Sequence, residues 1–177
     1  IQTLGLRPHP EGGWYAEVFR SSAQVQPADG RGARAALTTI YFLLTRGQSS
    51  RLHRVRSDEI WHFHEGDPLA LTIADPSLSV SEHLRLGPMG DWTRPVHAVP
   101  AGSWQAARPL GDYTLAGCCV APGFEFADFQ LLNVQVRPIS AAETRPLRHT
   151  LLRPMERPEA LVYPGDDATD SLHLGAF

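Results

Sequence analysis

Between Trp14 and Val120 the sequence never holds one pattern for long. Runs of four to ten residues, rich in β-branched and aromatic side chains, are cut short again and again by turn residues. The runs are Trp14–Arg20, Ala35–Leu44, Arg51–Arg56, Glu59–His64, Leu69–Ala74, Leu78–Leu86, Val96–Val99, Trp104–Ala107 and Tyr113–Val120. The interruptions are turn formers such as Arg46-Gly47, Gly66-Asp67-Pro68, Asp75-Pro76, Gly87-Pro88 and Pro122-Gly123. Short strands at such spacing predict an all-β sandwich or barrel. Helical turns are suggested only around Thr3–Leu6 and Ala141–Thr144. From Ile139 the strand rhythm stops and prolines recur. The expected organisation is a barrel domain over 1–138 and an extended C-terminal tail over 139–177. The tail is expected to pack in part through Leu151, Leu152, Met155, Leu161 and Val162, and its last residues are loose by composition.

A chain of 177 residues suffices for one domain with a substantial core. A net charge of −3 from mixed signs argues against nucleic acid or an anionic membrane as partner. No apolar run approaches the ~20 residues of a spanning helix. All sixteen basic residues are arginine, so Schiff-base chemistry and P-loop nucleotide binding lack their lysine. The two cysteines, Cys118 and Cys119, are adjacent and in a strand point to opposite faces. They read as reduced thiols, which favours a reducing, cytoplasmic setting.

The densest group of chemistry-bearing residues is "SRLHRVRSDEIWHFHEG", Ser50 to Gly66. Strand alternation puts Glu59, Trp61 and Phe63 on one face, and Ile60, His62 and His64 on the other. If Glu59 faces the interior, His62 and His64 face away. Gly47, His53, Glu59 and Gly66 stand with five, five and six residues between them. This resembles the first cupin motif, G-x5-H-x-H-x3–4-E-x6-G, with Val55 in place of its second histidine. Pro100, Ala101 and Gly102 resemble the centre of the second motif, whose histidine falls on Gln105 and whose asparagine falls on Pro109. "HPEGGWYAEVFRS", "TTIYFLL", "VPAGSWQAARP" and "GCCVAPGFEFADF" resemble the cupin-5 group over about residues 1–130. The resemblance implies a cupin jelly-roll barrel, similar in fold to deoxysugar-nucleotide epimerases and seed storage globulins, and a homodimer.

In that family three histidines and one glutamate hold a metal. Here the matching positions are His53, Val55, Glu59 and Gln105. Valine cannot coordinate and glutamine is a weak neutral ligand, so the expected resident cofactor is none. Any weakly held divalent ion would sit on His53, Glu59 and Gln105. The alternative is an acid–base pair, with His53 as base and Glu59 orienting it. Arg51, Trp61, Phe63, Gln105 and Tyr41 are then the candidate substrate-binding residues, since arginine matches carboxylate or phosphate by its fork. Tyr15, Tyr41 and Tyr113 are candidate phenol acids. Phe124, Phe126, Asp128 and Phe129 are expected to close one barrel end by packing, and Ser57-Asp58 to form a turn.

Three functions stay open at this point. The first is a metal-independent isomerase or epimerase acting beside a carbonyl of a small molecule, such as a sugar or sugar nucleotide. The second is a cupin that binds a small molecule without turnover. The third is a metal-dependent oxygenase or isomerase with an incomplete ligand set.

Overall fold

The computed structural model of the chain describes residues 1–133, 136–151, 155, 157, 160–168 and 171–176. Among these described residues, fifteen strands, one short 3-10 turn and one α-helix follow in order. The strands are β1 (Arg7–Pro8), β2 (Trp14–Arg20), β3 (Gln24–Val25), β4 (Arg34–Ala35), β5 (Thr38–Thr45), β6 (Ser50–Val55), β7 (Asp58–Gly66) and β8 (Leu69–Ala74). They continue with β9 (Ser81–Leu86), β10 (Val96–Val99), β11 (Trp104–Pro109), β12 (Tyr113–Ala121) and β13 (Phe129–Leu131). The last elements are β14 (Val136–Ile139), α1 (Ala141–Leu151) and β15 (His173–Ala176). The chain forms two compact units, Ile1–Leu132 and Asn133–Phe177.

The first unit is the all-β cupin fold that the turn rhythm and the motifs predict. One sheet has the order β1-β2-β5-β12-β7-β10, and a second has β13-β6-β11-β8-β9. The pairs within both are antiparallel. Alternation gives each sheet one apolar face, and the two faces pack against each other. Phe42, Trp61 and Cys118 from the first sheet meet Leu71, Leu86 and Ala107 from the second in one buried cluster. Trp61 is the largest fully buried side chain, and Phe42 meets it edge to face with ring centroids 5.6 Å apart. On β7, Glu59 and Trp61 are buried while Ile60 is 38% exposed, as period-two alternation requires.

Two strand boundaries depart from the expected runs for local reasons. Leu78–Val80 belongs to a turn rather than to β9. Leu78 has a φ of 61°, and Asp75 binds the segment through both its carbonyl and its carboxylate, which accept from Leu78 N at 2.9 Å and Val80 N at 2.9 Å. The Ala35–Leu44 run is divided between β4 and β5, because Ala36 and Leu37 bond back to Ala23 and Ser21 instead of continuing the ladder.

The second unit is not simply extended. Helix α1 covers Ala141–Leu151 and is entered through a capping box: Glu143 N donates to Ser140 Oγ at 3.3 Å, while Ser140 N donates to Glu143 Oε2 at 2.8 Å. Strands β14 and β15 form an antiparallel pair, and Arg148 binds Asp166 through both guanidinium nitrogens. That hydrogen bonding holds the Asp166 carboxyl well below the usual carboxylate range. Of the residues expected to pack, Leu161 is buried, whereas Met155 and Val162 are exposed. Leu152 and the Leu151 side chain lie outside the described residues. No helix among the described residues is long and apolar enough to cross a membrane.

The packing predicts that Phe42→Ala costs about 3–5 kcal/mol, because it removes a ring from the centre of the core. Ile60→Ala, on the opposite face of β7, costs roughly 1 kcal/mol or less. Denaturant unfolding of the two variants checks the ratio. Equal losses would mean that the inner and outer faces are assigned wrongly.

Candidate active site

The site begins with the turn between β1 and β2. In "HPEGGW" the chain must reverse while aiming Glu11 inward. Gly12 and Gly13 make this possible: both have positive φ, 113° and 70°, and a Cβ on Gly12 would lie 2.3 Å from the Ser49 carbonyl oxygen. The turn is fastened to β6 by Arg51 N, which donates to the Glu11 carbonyl at 2.8 Å. Glu11, 5% exposed, is thereby carried into the interior.

On β6, His53 and Val55 face inward and are buried. His53 Nδ1 lies 2.8 Å from the Arg51 carbonyl oxygen. A carbonyl only accepts, so Nδ1 carries the hydrogen and Nε2 is left for the cavity. Glu11 Oε2 stands 3.3 Å from that Nε2. Ser50 Oγ donates to the other Glu11 oxygen at 2.8 Å. His9 Nδ1 lies 3.3 Å from the same Oε2 that faces His53.

On β7, Glu59 faces His53 across the interior. Gln105, on β11, donates from Nε2 to Glu59 Oε2 at 2.6 Å, and its Oε1 accepts from Trp61 Nε1 at 2.9 Å. The Cys118 thiol also bonds Glu59, and burial pushes that thiol well up.

These side chains open into a cavity of about 160 Å³. Its floor is His53, Glu11, Glu59, Cys118 and Val55, and its walls include Thr38, Ile40 and Phe42. Phe124, Phe126 and Phe129 roof it, with Phe129 5.4 Å from the His53 ring. Arg7, Glu17, Arg20 and Glu125, all exposed, mark the mouth. Arg20 is neutralised there by Glu17 at 2.8 Å and Glu125 at 2.9 Å.

The two buried carboxyls are driven apart. Burial is the largest influence on each and pushes both up. At Glu59 burial prevails, helped by the nearby charge of Glu11, and the carboxyl is raised above its ordinary value. At Glu11 the opposing influences together win: the charge of His53, the hydrogen bond and charge of His9 and the Ser50 hydroxyl hold it below its ordinary value. Separation of this kind marks one group as acid and the other as anion.

His53 and Glu59 share the cavity, but Glu59 does not orient the imidazole. Among the described residues, the carboxylate within ion-pair distance of His53 is Glu11, and the Arg51 carbonyl sets its ring. Other expected site residues lie elsewhere. Trp61 fills the core and Gln105 is spent between Trp61 and Glu59, so neither lines the cavity. Phe63 packs against the same core. Tyr41 follows the alternation of β5 to the outer face, where its ring meets His64 at 5.8 Å. The Arg51 side chain reaches an outer groove with Leu52 and Arg108. Tyr113 bonds Glu65 at 2.6 Å, away from the cavity. Tyr15 does line it, beneath the Arg7 guanidinium. The aromatic residues after Pro122 do more than pack, since three of them form the roof. Asp128 beneath them is buried between Arg31 and Arg34, and Asp58, the first residue of β7 rather than a turn residue, accepts from the distant Ala101 N at 2.8 Å. Sequence reasoning missed Glu11 and His9; the available signal was a carboxylate set before a Gly-Gly turn.

Residues 1–132 match the family described as Cupin superfamily (DUF985). The chain belongs to that family. A solved structure of a hypothetical protein from Leishmania major is 34% identical, covering 85% of this chain and 91% of that one, with a TM-score of 0.69. A protein from Shewanella oneidensis is 32% identical over 89% of this chain and 95% of that one, with a TM-score of 0.67. An oxalate decarboxylase from Bacillus subtilis, 18% identical, shares the fold at a TM-score of 0.53 over 74% of this chain and 31% of that one. No curated protein matches the chain.

The cupin fold implies a metal, and the residues here do not fit one. Val55 offers no donor, and the Gln105 amide is engaged on both ends. His53 turns Nδ1 to a backbone carbonyl and Nε2 beside Glu11. Among the described residues, no three His, Cys, Asp or Glu side chains are placed to share an ion.

The raised Glu59 carboxyl has a consequence for stability. Between its unfolded value, near 4.5, and its higher folded value, the folded state binds the extra proton. Stability therefore falls as pH rises through that window. Glu59→Gln removes this loss. The variant is expected to melt at or above wild type at neutral pH, with the gap closing toward pH ~4. Thermal melts across pH check it; a gap that widens toward acid would show that Glu59 is an anion in the folded protein.

Proposed function

We propose that this cupin is a metal-independent isomerase or epimerase that moves a proton beside the carbonyl of a small molecule. The observation that carries the reading is the grouping of His53, Glu11 and Glu59 in one cavity, with Glu11 3.3 Å from His53 Nε2; burial raises the Glu59 carboxyl, and its neighbours lower that of Glu11. His53 Nε2 takes the proton from the carbon next to the carbonyl, and the electron pair of that C–H bond moves toward the carbonyl oxygen. Glu11 stabilises the imidazolium that forms. Glu59, whose carboxyl burial raises, in its protonated form donates a hydrogen bond or its proton to the oxygen where negative charge collects. Return of a proton to carbon completes the isomerisation.

The cavity size narrows the substrate. An apolar cavity of ~150 Å³ holds benzene, so about six heavy atoms fit inside. A free hydroxy-carbonyl compound fits whole, and of a larger conjugate only the reacting part enters. The Phe124, Phe126 and Phe129 roof keeps water from the reacting carbon.

The test is solvent-deuterium incorporation into a panel of three- to six-carbon hydroxyaldehydes, hydroxyketones and hydroxy acids. His53→Asn is expected to lower exchange ~10²–10⁴-fold, the usual worth of a general base, with the melting temperature nearly unchanged. His62→Ala and His64→Ala, on the outer face of β7, are expected to exchange like wild type. Tight binding of a panel compound with no exchange favours a binding protein without turnover. Loss in His62→Ala equal to that in His53→Asn would move the site to the other face.

A further inference from the structure

Glu11 Oε2 lies 3.3 Å from His53 Nε2 and 3.3 Å from His9 Nδ1. One carboxylate oxygen thus stands between two imidazoles that line one cavity. We propose that His9 is a proton-relay residue, connecting the buried base His53 through Glu11 to water at the cavity mouth. This rests on the proton-transfer reading above.

The two imidazoles differ in their attachments. The His53 side chain is 2% exposed and its Nδ1 is tied to the wall, so Nε2 alone is left to pass a proton on. The His9 side chain is 6% exposed and follows directly on β1, whose Arg7 stands at the cavity mouth. It is enclosed by aromatic rings, with Tyr15 edge-on at 4.7 Å and Phe126, itself 51% exposed, stacked at 5.9 Å. Rings in these positions hold the imidazole in place without competing for its nitrogens. Ser50 occupies the far oxygen of Glu11, which leaves Oε2 to the two histidines.

The transfer balances without any co-reactant. The proton on His53 Nε2 passes to Glu11 Oε2 and from there to His9 Nδ1. His9 then releases a proton to water, and each group returns to its starting charge. The relay decides the fate of the abstracted hydrogen. With it, that hydrogen is lost to solvent before a proton returns to carbon. Without it, the same hydrogen is handed back.

The experiment has two arms. The first needs no substrate: ¹⁵N-histidine-labelled protein is placed in D₂O at a pH where the His53 ring is protonated, and loss of its Nε2–H signal, the ring hydrogen that faces Glu11, is followed by NMR. In wild type the ring hydrogen is expected to exchange at least tenfold faster than the His53 backbone amide. His9→Phe, which suits the aromatic enclosure, and His9→Gln, which keeps a polar group, are each expected to slow ring exchange at least tenfold. Ring exchange as slow as the amide in wild type, or unchanged in a folded His9 variant, overturns the relay. The second arm uses the hydroxy-carbonyl panel in D₂O. Product from wild type is expected to carry solvent deuterium, whereas product from His9→Gln retains substrate hydrogen while conversion falls less than tenfold. Equal retention in both overturns the relay. If wild type converts no panel compound, the proposed reaction fails by itself, and the ring-exchange arm still decides the relay.

Discussion

A carboxylate in a protein interior is stable only if something replaces the water it has lost, since the penalty is several kcal/mol per ion even after relaxation. This protein buries two in one cavity and answers the penalty in opposite ways. Glu11 keeps its charge because His53, His9 and Ser50 surround it. Glu59 is raised above its ordinary value, because burial and the nearby charge of Glu11 outweigh the charge of His53 and the hydrogen bond from Gln105. Neither arrangement stands alone. Removing Glu11 would take away one reason for Glu59 to be neutral, and removing His53 would take away one reason for Glu11 to be charged.

The fold supplies this pair through two long-range fastenings. One is the Gly12-Gly13 reversal, held to β6 by Arg51 N, which brings an N-terminal residue against a strand thirty-nine residues later at Ser50. The other is the chain from Trp61 through Gln105 to Glu59, which crosses from one sheet to the other. Trp61 is both the centre of the core and the donor that fixes the Gln105 amide. Core packing and protonation of the site are therefore joined at one indole. A substitution at Trp61 would disturb the acid as well as the stability.

What was legible in the sequence follows from what is local. The inward face of β7 could be read from alternation, because a strand with one buried face repeats every two residues. His53 and Glu59 were found from spacing, because the motif sets both on neighbouring strands. Glu11 was not legible as a site residue, since nothing within "HPEGG" says which strand the turn will meet. Gln105 is expected from the sequence to bind substrate, or a weakly held ion if one is present, because it stands where a histidine would. That position in fact places it in the sheet facing Glu59, where both ends of its amide find partners. Tyr41 was misplaced because a β-branched and aromatic run looks apolar on both sides. Helix α1 was read short because Pro146 lies inside it, while the Ser140–Glu143 box that starts it was already in the sequence.

Val55 and Gln105, which leave a cation short of ligands, also shape the surroundings of Glu59. At the second histidine position of the first motif, Val55 adds apolar surface to the cavity floor and lowers the local polarity. At the histidine position of the second motif, Gln105 replaces a group that can take up a proton with one that cannot. The first change favours a neutral Glu59 by removing solvent, whereas the Gln105 N–H donates to the carboxylate and opposes that rise without cancelling it. A histidine restored at 105 would bring a second ionisable group against Glu59 and draw it back toward the anion.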